Sequence, residues 1–137
     1  MSSRARLVSV LAIAVGVCSA PTAAAQPEPI GTDDRGFVDS AARCEQSTYA
    51  VAFGRTQRSL VAICVQDGDY EYRGVRLRDD ALLTADALAI GDGRFTAESD
   101  GVTYTFSAKE LVITQGERVI RSEPMVAYVE PRLAAEG

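Results

Sequence analysis

Between residues 47 and 130, short β-rich runs alternate with turn residues at intervals of about 8–12 positions, the spacing of an all-β sandwich or barrel. In "STYAVAF", alternation puts Tyr49, Val51 and Phe53 on one face. In "RSLVAICV", Val61, Ile63 and Val65 share one face and Leu60, Ala62 and Cys64 the other. Both faces of that run are apolar, so it should be a central strand covered on each side. "RFTAE" turns Phe95 and Ala97 inward, and "VTYTF" turns Val102, Tyr104 and Phe106 inward. Ser99-Asp100-Gly101 between them is a hairpin signal, and Gln115-Gly116-Glu117 joins "LVIT" to "RVIR" in the same way. The expectation is a small antiparallel β-meander forming a sandwich or a partly open barrel. "DDALLTADALAI" is the one helix candidate; its threonine and flanking glycines weaken it, and residues 79–90 stay open between helix and loop.

Strict alternation fails in "YEYRGVRLR", where counting by twos puts Tyr70 and Tyr72 with Arg76 and Arg78. One extra residue at Gly74 removes the conflict. Tyr70, Tyr72, Val75 and Leu77 then share one face, and Glu71, Arg73, Arg76 and Arg78 the other. Glycine within a strand often marks such a β-bulge, so a bulge is expected at or beside Gly74. A weaker echo links "YEYRGVRL" at 70–77 to "YTFSAKEL" at 104–111, with aromatics at positions one and three and leucine at eight. Two amphipathic strands can share that much by chance.

The N-terminus opens "MSSRAR", runs apolar from Leu7 to Val17 and ends in "AAA" at Ala23–Ala25. A positive start, a short apolar stretch and a small-residue cleavage site make a secretory signal peptide over residues 1–25. The apolar stretch is well short of the ~20 residues a membrane-spanning helix needs. A lipoprotein acylated at Cys18 is the rival reading, but Val17 directly before the cysteine fits it poorly. Loss of residues 1–25 removes Arg4 and Arg6 and no acid, moving the formal charge from −5 to −7. So acidic a chain is ill suited to sequence-independent nucleic-acid binding, which needs Lys and Arg on phosphates.

Cys44 and Cys64 remain, and in an exported chain an even cysteine count reads as a disulfide. The loop they close is worth about 3 kcal/mol in the chain-entropy model. A zinc pair or a cysteine nucleophile competes with that reading. Both want histidine partners, and the chain has none. Residues 26–43 are rich in Pro, Gly and acids with Phe37 as the single aromatic, and so are expected to be a flexible leader. A single β-domain over 44–130 and a C-terminal tail over 131–137 complete the organisation.

"FGRTQRSLVAIC" contains Arg55 and Arg58 in a hairpin connection between apolar runs, which most simply makes a solvated turn. Arg73, Arg76 and Arg78 follow, and a bulge at Gly74 would align all three on one solvent face with the turn arginines at its end. Such a patch would suit an anionic envelope component or an acidic protein segment. Glu71, Asp79 and Asp80 are close enough in sequence to neutralise it instead. "VAFGRTQRSLVAIC", "YEYRGVRL", "DGVTYTFS" followed by "LVIT", and "EPM" at 123–125 together resemble small exported proteins of mycobacteria and related actinobacteria. That resemblance implies an exported or envelope-associated protein and supplies no catalytic or binding residues.

Other chemistry is poorly provided for. Without histidine there is no Ser-His-Asp or Cys-His arrangement and no usual zinc site. "GDG" at 91–93 is too short for a phosphate-cradling loop, so no cofactor is expected. "DGD" at 67–69 and "DDRG" at 33–36 lack the further carboxylates of a calcium loop and read as turns. Three functions stay in play: an exported, non-enzymatic β-domain binding an envelope component or a protein; an accessory module oligomerising through the second apolar face of strand 60–65; and a hydrolase using carboxylates such as Asp79 and Asp80.

Overall fold

Strand ends are set by turn chemistry. Asp67-Gly68, Asp92-Gly93 and Asp100-Gly101 all hold positive φ, the requirement of tight two-residue hairpins that Asp and Gly meet at least cost. The computed structural model describes Gly16 and residues 30–131, and the elements within them are all strands. They are β1 (Thr32–Asp33), β2 (Gly36–Phe37), β3 (Tyr49–Arg55), β4 (Ser59–Gln66), β5 (Asp69–Arg76), β6 (Ala81–Gly91), β7 (Arg94–Ser99), β8 (Val102–Phe106), β9 (Glu110–Gln115), β10 (Arg118–Pro124) and β11 (Ala127–Val129). All but Gly16 of the signal peptide expected over residues 1–25, Cys18 included, and all of the tail but Pro131 lie outside the described residues.

β1 and β2 form a small hairpin of their own; the other nine make one antiparallel sheet in the order β10-β9-β8-β7-β6-β5-β4-β3-β11. The two edge strands are consecutive in the chain, joined only by Met125 and Val126. The Met125 amide donates to the Lys109 carbonyl beside β9, and the Val126 amide donates to the Arg55 carbonyl at the end of β3. The sheet therefore curls until one segment, 118–129, touches both its flanks: a partly open barrel, as the strand spacing led us to expect. β6 turns the other corner. It pairs with β5 from Ala81 to Ala87 and with β7 from Ala87 to Gly91, with a register shift between Ala89 and Gly91. Strands that pass between sheet halves commonly do so through such irregularities.

The curled sheet has a core on each of its faces. Its enclosed face packs Ala52, Val61, Ile63, Tyr72, Ala87, Ala97, Phe106, Leu111 and Ile113. On the outer face of β3–β5, a second cluster contains Phe37, Ala42, Cys44, Ala50, Phe53, Leu60, Ala62, Cys64 and Val75. β4 is central and buried on both faces, as its composition required. Cys44 and Cys64 are bonded, with Cα atoms 5.5 Å apart. Phe95, Ala97, Val102, Tyr104 and Phe106 all face the enclosed core, and the Ser99–Gly101 link is a hairpin turn.

Several expectations are corrected. Residues from Ile30 onward are not a flexible leader. They lie across the outer face of β3–β5 and bury Phe37 and Ala42, with Phe37 edge-on to Phe53 at 5.4 Å. Hydrogen bonds hold this cover down. The Arg35 guanidinium donates twice to the Cys44 carbonyl (2.9 and 2.6 Å), and the amides of Cys44 and Ala50 donate to the carbonyls of Arg35 and Asp34. Residues 81–91 are a strand, neither helix nor loop. No bulge occurs at Gly74, where β5 pairs in unbroken register with both β4 and β6. A register shift falls instead between Ala50 and Ala52, which separates Val51 from Phe53: Val51 packs toward the enclosed core and Phe53 on the outer one. The 70–77 and 104–111 echo is not structural either. Leu77 lies against the outer core and Leu111 within the enclosed one, and the second stretch crosses from β8 to β9.

Candidate functional site

Gly74 has a packing role. A Cβ there would lie 2.7 Å from the Tyr72 ring and 2.9 Å from its hydroxyl, so the ring folds back over the glycine along the inside of β5. Tyr72 is only 2% exposed, and its ring centroid is 5.5 Å from that of Tyr104 on β8. Neither hydroxyl makes a hydrogen bond to a described residue. Burial, and then the neighbouring Tyr104 and Glu123, push the Tyr72 hydroxyl well above the ordinary tyrosine range, so it stays a protonated donor at neutral pH.

Both tyrosines line a cavity of about 390 Å³, near the lower end of ligand-site volumes. It sits at the end of the barrel that carries the β3–β4, β5–β6, β7–β8 and β9–β10 turns. Leu82, Leu83, Val102, Ile113 and Ile120 supply apolar walls; the polar groups are Ser59, Tyr72, Tyr104, Arg76 and Arg121. The barrel wall is also open on this side, because β6 and β7 stop pairing at Ala87–Ala97. Residues 81–86 of β6 pair with β5 alone, and Glu98 and Ser99 of β7 with β8 alone.

The two arginines at this cavity are held by carboxylates. Arg76 forks onto Asp79, with Nε and Nη2 each donating at 2.8 Å, and this pair holds the Asp79 carboxyl below its usual range. Arg121 donates from Nε to Glu123 at 2.7 Å. Glu123 is 4% exposed and also accepts from the hydroxyls of Thr56 (2.5 Å) and Ser59 (2.9 Å). Thr56 in turn accepts from the amides of Arg58 and Ser59. The "TQRS" turn is thus tied to β10 by one buried carboxylate, which bridges the remaining gap in the barrel beside Gln57, Arg58 and Val126.

Of the five arginines singled out from sequence, Arg73 does not share a face with the others. Arg73 points to the face opposite Arg76, is 9% exposed, and is occupied by the Ala41 carbonyl (3.2 Å) and Glu71 (3.1 Å). It is part of the cover's attachment. Arg55 is half-buried at the end of β3; Arg58 and Arg78 are exposed in adjoining turns, joined where the Leu77 amide donates to the Arg58 carbonyl. Only Arg76 borders the cavity. Arg121 joins it there and was missed, because a register shift at Ile120 hides its inward direction from simple alternation. The visible signal was Arg121 two positions before Glu123, a spacing that puts both charges on one side of a strand. Among the described residues, no cluster of three or more His, Cys, Asp or Glu is placed to hold a metal ion.

Fold and site together define a disulfide-braced, partly open antiparallel β-barrel with an apolar cavity and arginines at its open end. No protein-family model, curated protein or solved structure matches the chain. Among the described residues, no helix is long and apolar enough to cross a membrane.

Proposed function

We propose that the protein is an exported, non-enzymatic β-domain that binds a cell-envelope component or a protein partner at the open end of its barrel. The observation that carries this reading is the cavity itself: apolar walls, a few convergent polar groups, and an opening where β6 leaves β7. Export is supported by the signal-like residues 1–25, by the Cys44–Cys64 bond, which persists in oxidising compartments, and by the resemblance to small exported actinobacterial proteins. A hydrolase finds little support at this cavity, whose lining contains no carboxylate among the described residues, and Asp79 is committed to Arg76. Oligomerisation through the outer face of β4 lacks a free surface, since residues 30–44 cover it.

The test is retention of the oxidised protein on isolated cell envelope. Leu83→Trp fills the cavity, whereas Leu88→Trp enlarges a side chain that is 69% exposed. Leu83→Trp should abolish retention and Leu88→Trp preserve it, with both variants checked for cooperative unfolding. Equal retention of the two would remove the cavity from the function.

A further inference from the structure

We infer that the cavity takes an anionic amphiphile, a molecule with a slender apolar body and a single negatively charged head; this rests on the cavity being the binding site. Of the polar side chains lining it, Arg76 and Arg121 carry positive charge and Tyr72 and Tyr104 are hydroxyls able to donate, while Ser59 already donates to Glu123. Among the described residues, no carboxylate or amide side chain lines it, although the chain as a whole is acidic. A cationic or purely donating ligand would therefore find little to accept its hydrogen bonds, whereas an anionic head meets donors on several sides.

The donors are partly free. Arg76 gives Nε and Nη2 to Asp79 and keeps Nη1; Arg121 gives Nε to Glu123 and keeps both terminal amino groups. Those carboxylates fix where the guanidinium planes point and leave the terminal pair of Arg121 and Nη1 of Arg76 to a ligand. Deeper in, the Tyr72 side chain is buried apart from its contact with the cavity, where its hydroxyl has no partner among the described residues and is open to an incoming group. A hydroxyl that faces such a cavity is a ready donor to an oxygen bound there. A head group held at the arginines places an acceptor oxygen within the same space, while Leu83, Val102 and Ile113 surround the apolar body. The unpaired stretch of β6 beside β7 offers a side entrance for that body.

Titration calorimetry of the oxidised protein with dodecanoate, dodecanol and acetate separates the contributions. Dodecanoate should bind at least about tenfold tighter than dodecanol, as a charge-assisted head contact predicts, and acetate should show no measurable binding. Arg121→Gln should bring dodecanoate close to dodecanol while leaving dodecanol unchanged, and Tyr72→Phe should weaken dodecanoate several-fold. Equal affinity for the acid and the alcohol would overturn the anionic head while leaving cavity binding in place. Acetate binding as tight as dodecanoate would overturn the apolar body, leaving a plain anion site. Failure of all three, in a protein whose envelope retention survives Leu83→Trp, would overturn both the ligand class and the cavity as the site.

Discussion

Gly74 and Tyr72 show how one residue can be read two ways. A glycine that interrupts alternation marks either an added residue or a place where something presses on the backbone. Here the second holds, since a Cβ would meet the Tyr72 ring at 2.7 Å. Gly74→Ala should therefore destabilise the fold by about 1–3 kcal/mol, the usual cost of overpacking, measured by urea unfolding. Combining it with Tyr72→Leu, which removes the ring, should recover part of that loss. Burial keeps Tyr72 neutral, so its folded pKa lies above the unfolded value of about 10. As pH rises, the unfolded chain loses this proton first. The contribution is whole below about pH 10 and drains away above it. Tyr128, raised by partial burial and its bond to Glu130, adds to the same decline. Tyr72→Phe should flatten the alkaline limb of a stability-versus-pH curve, and an unchanged slope would contradict the burial.

At the level of elements, the cover over β3–β5 is the feature composition concealed. Residues 30–44 bury few side chains, chiefly Phe37 and Ala42, and gain the rest of their order from backbone hydrogen bonds and the Cys44–Cys64 bond. Average hydrophobicity registers none of that. The two apolar faces of β4 did signal that something must lie over the second one, and the signal was sound; the covering segment was simply the stretch dismissed for its prolines and acids. Phe37→Ala should cost about 3–5 kcal/mol if the cover is integral, and next to nothing if it is a loose leader. Breaking the disulfide with Cys44→Ala and Cys64→Ala should cost about 3 kcal/mol, with thermal unfolding as the readout. The inward sets on β7 and β8 were legible because those strands run without irregularity. β3 and β10 were not, because an extra residue at Val51 or Ile120 reverses the alternation beyond it without leaving a distinctive residue type. The candidate site suffered most from this. Arg76 was placed on the wrong face, beside Arg73, by a bulge that does not exist, and Arg121 was overlooked behind one that does.

For the whole molecule, closure depends on segment 118–129 reaching both flanks of the sheet. Glu123 fastens it to the β3–β4 turn, and β11 packs across Gly54, where a Cβ would come within 2.7 Å of the Met125 sulfur. Removing one partner of a buried, bonded carboxylate network costs several kcal/mol, so Glu123→Ala should lower stability by about 3–5 kcal/mol. It should also raise amide exchange at Ala127–Val129 before the rest of the sheet opens, which exchange mass spectrometry would detect. A ring finished by the strand made after all those it joins stays unsealed while that strand is still missing. On the export proposed above, N-terminus first, Cys44 and Cys64 are free to bond while the far side of the wall has yet to emerge. Oxidation is then able to precede sealing, which would leave the interior its widest doorway in the interval between the two.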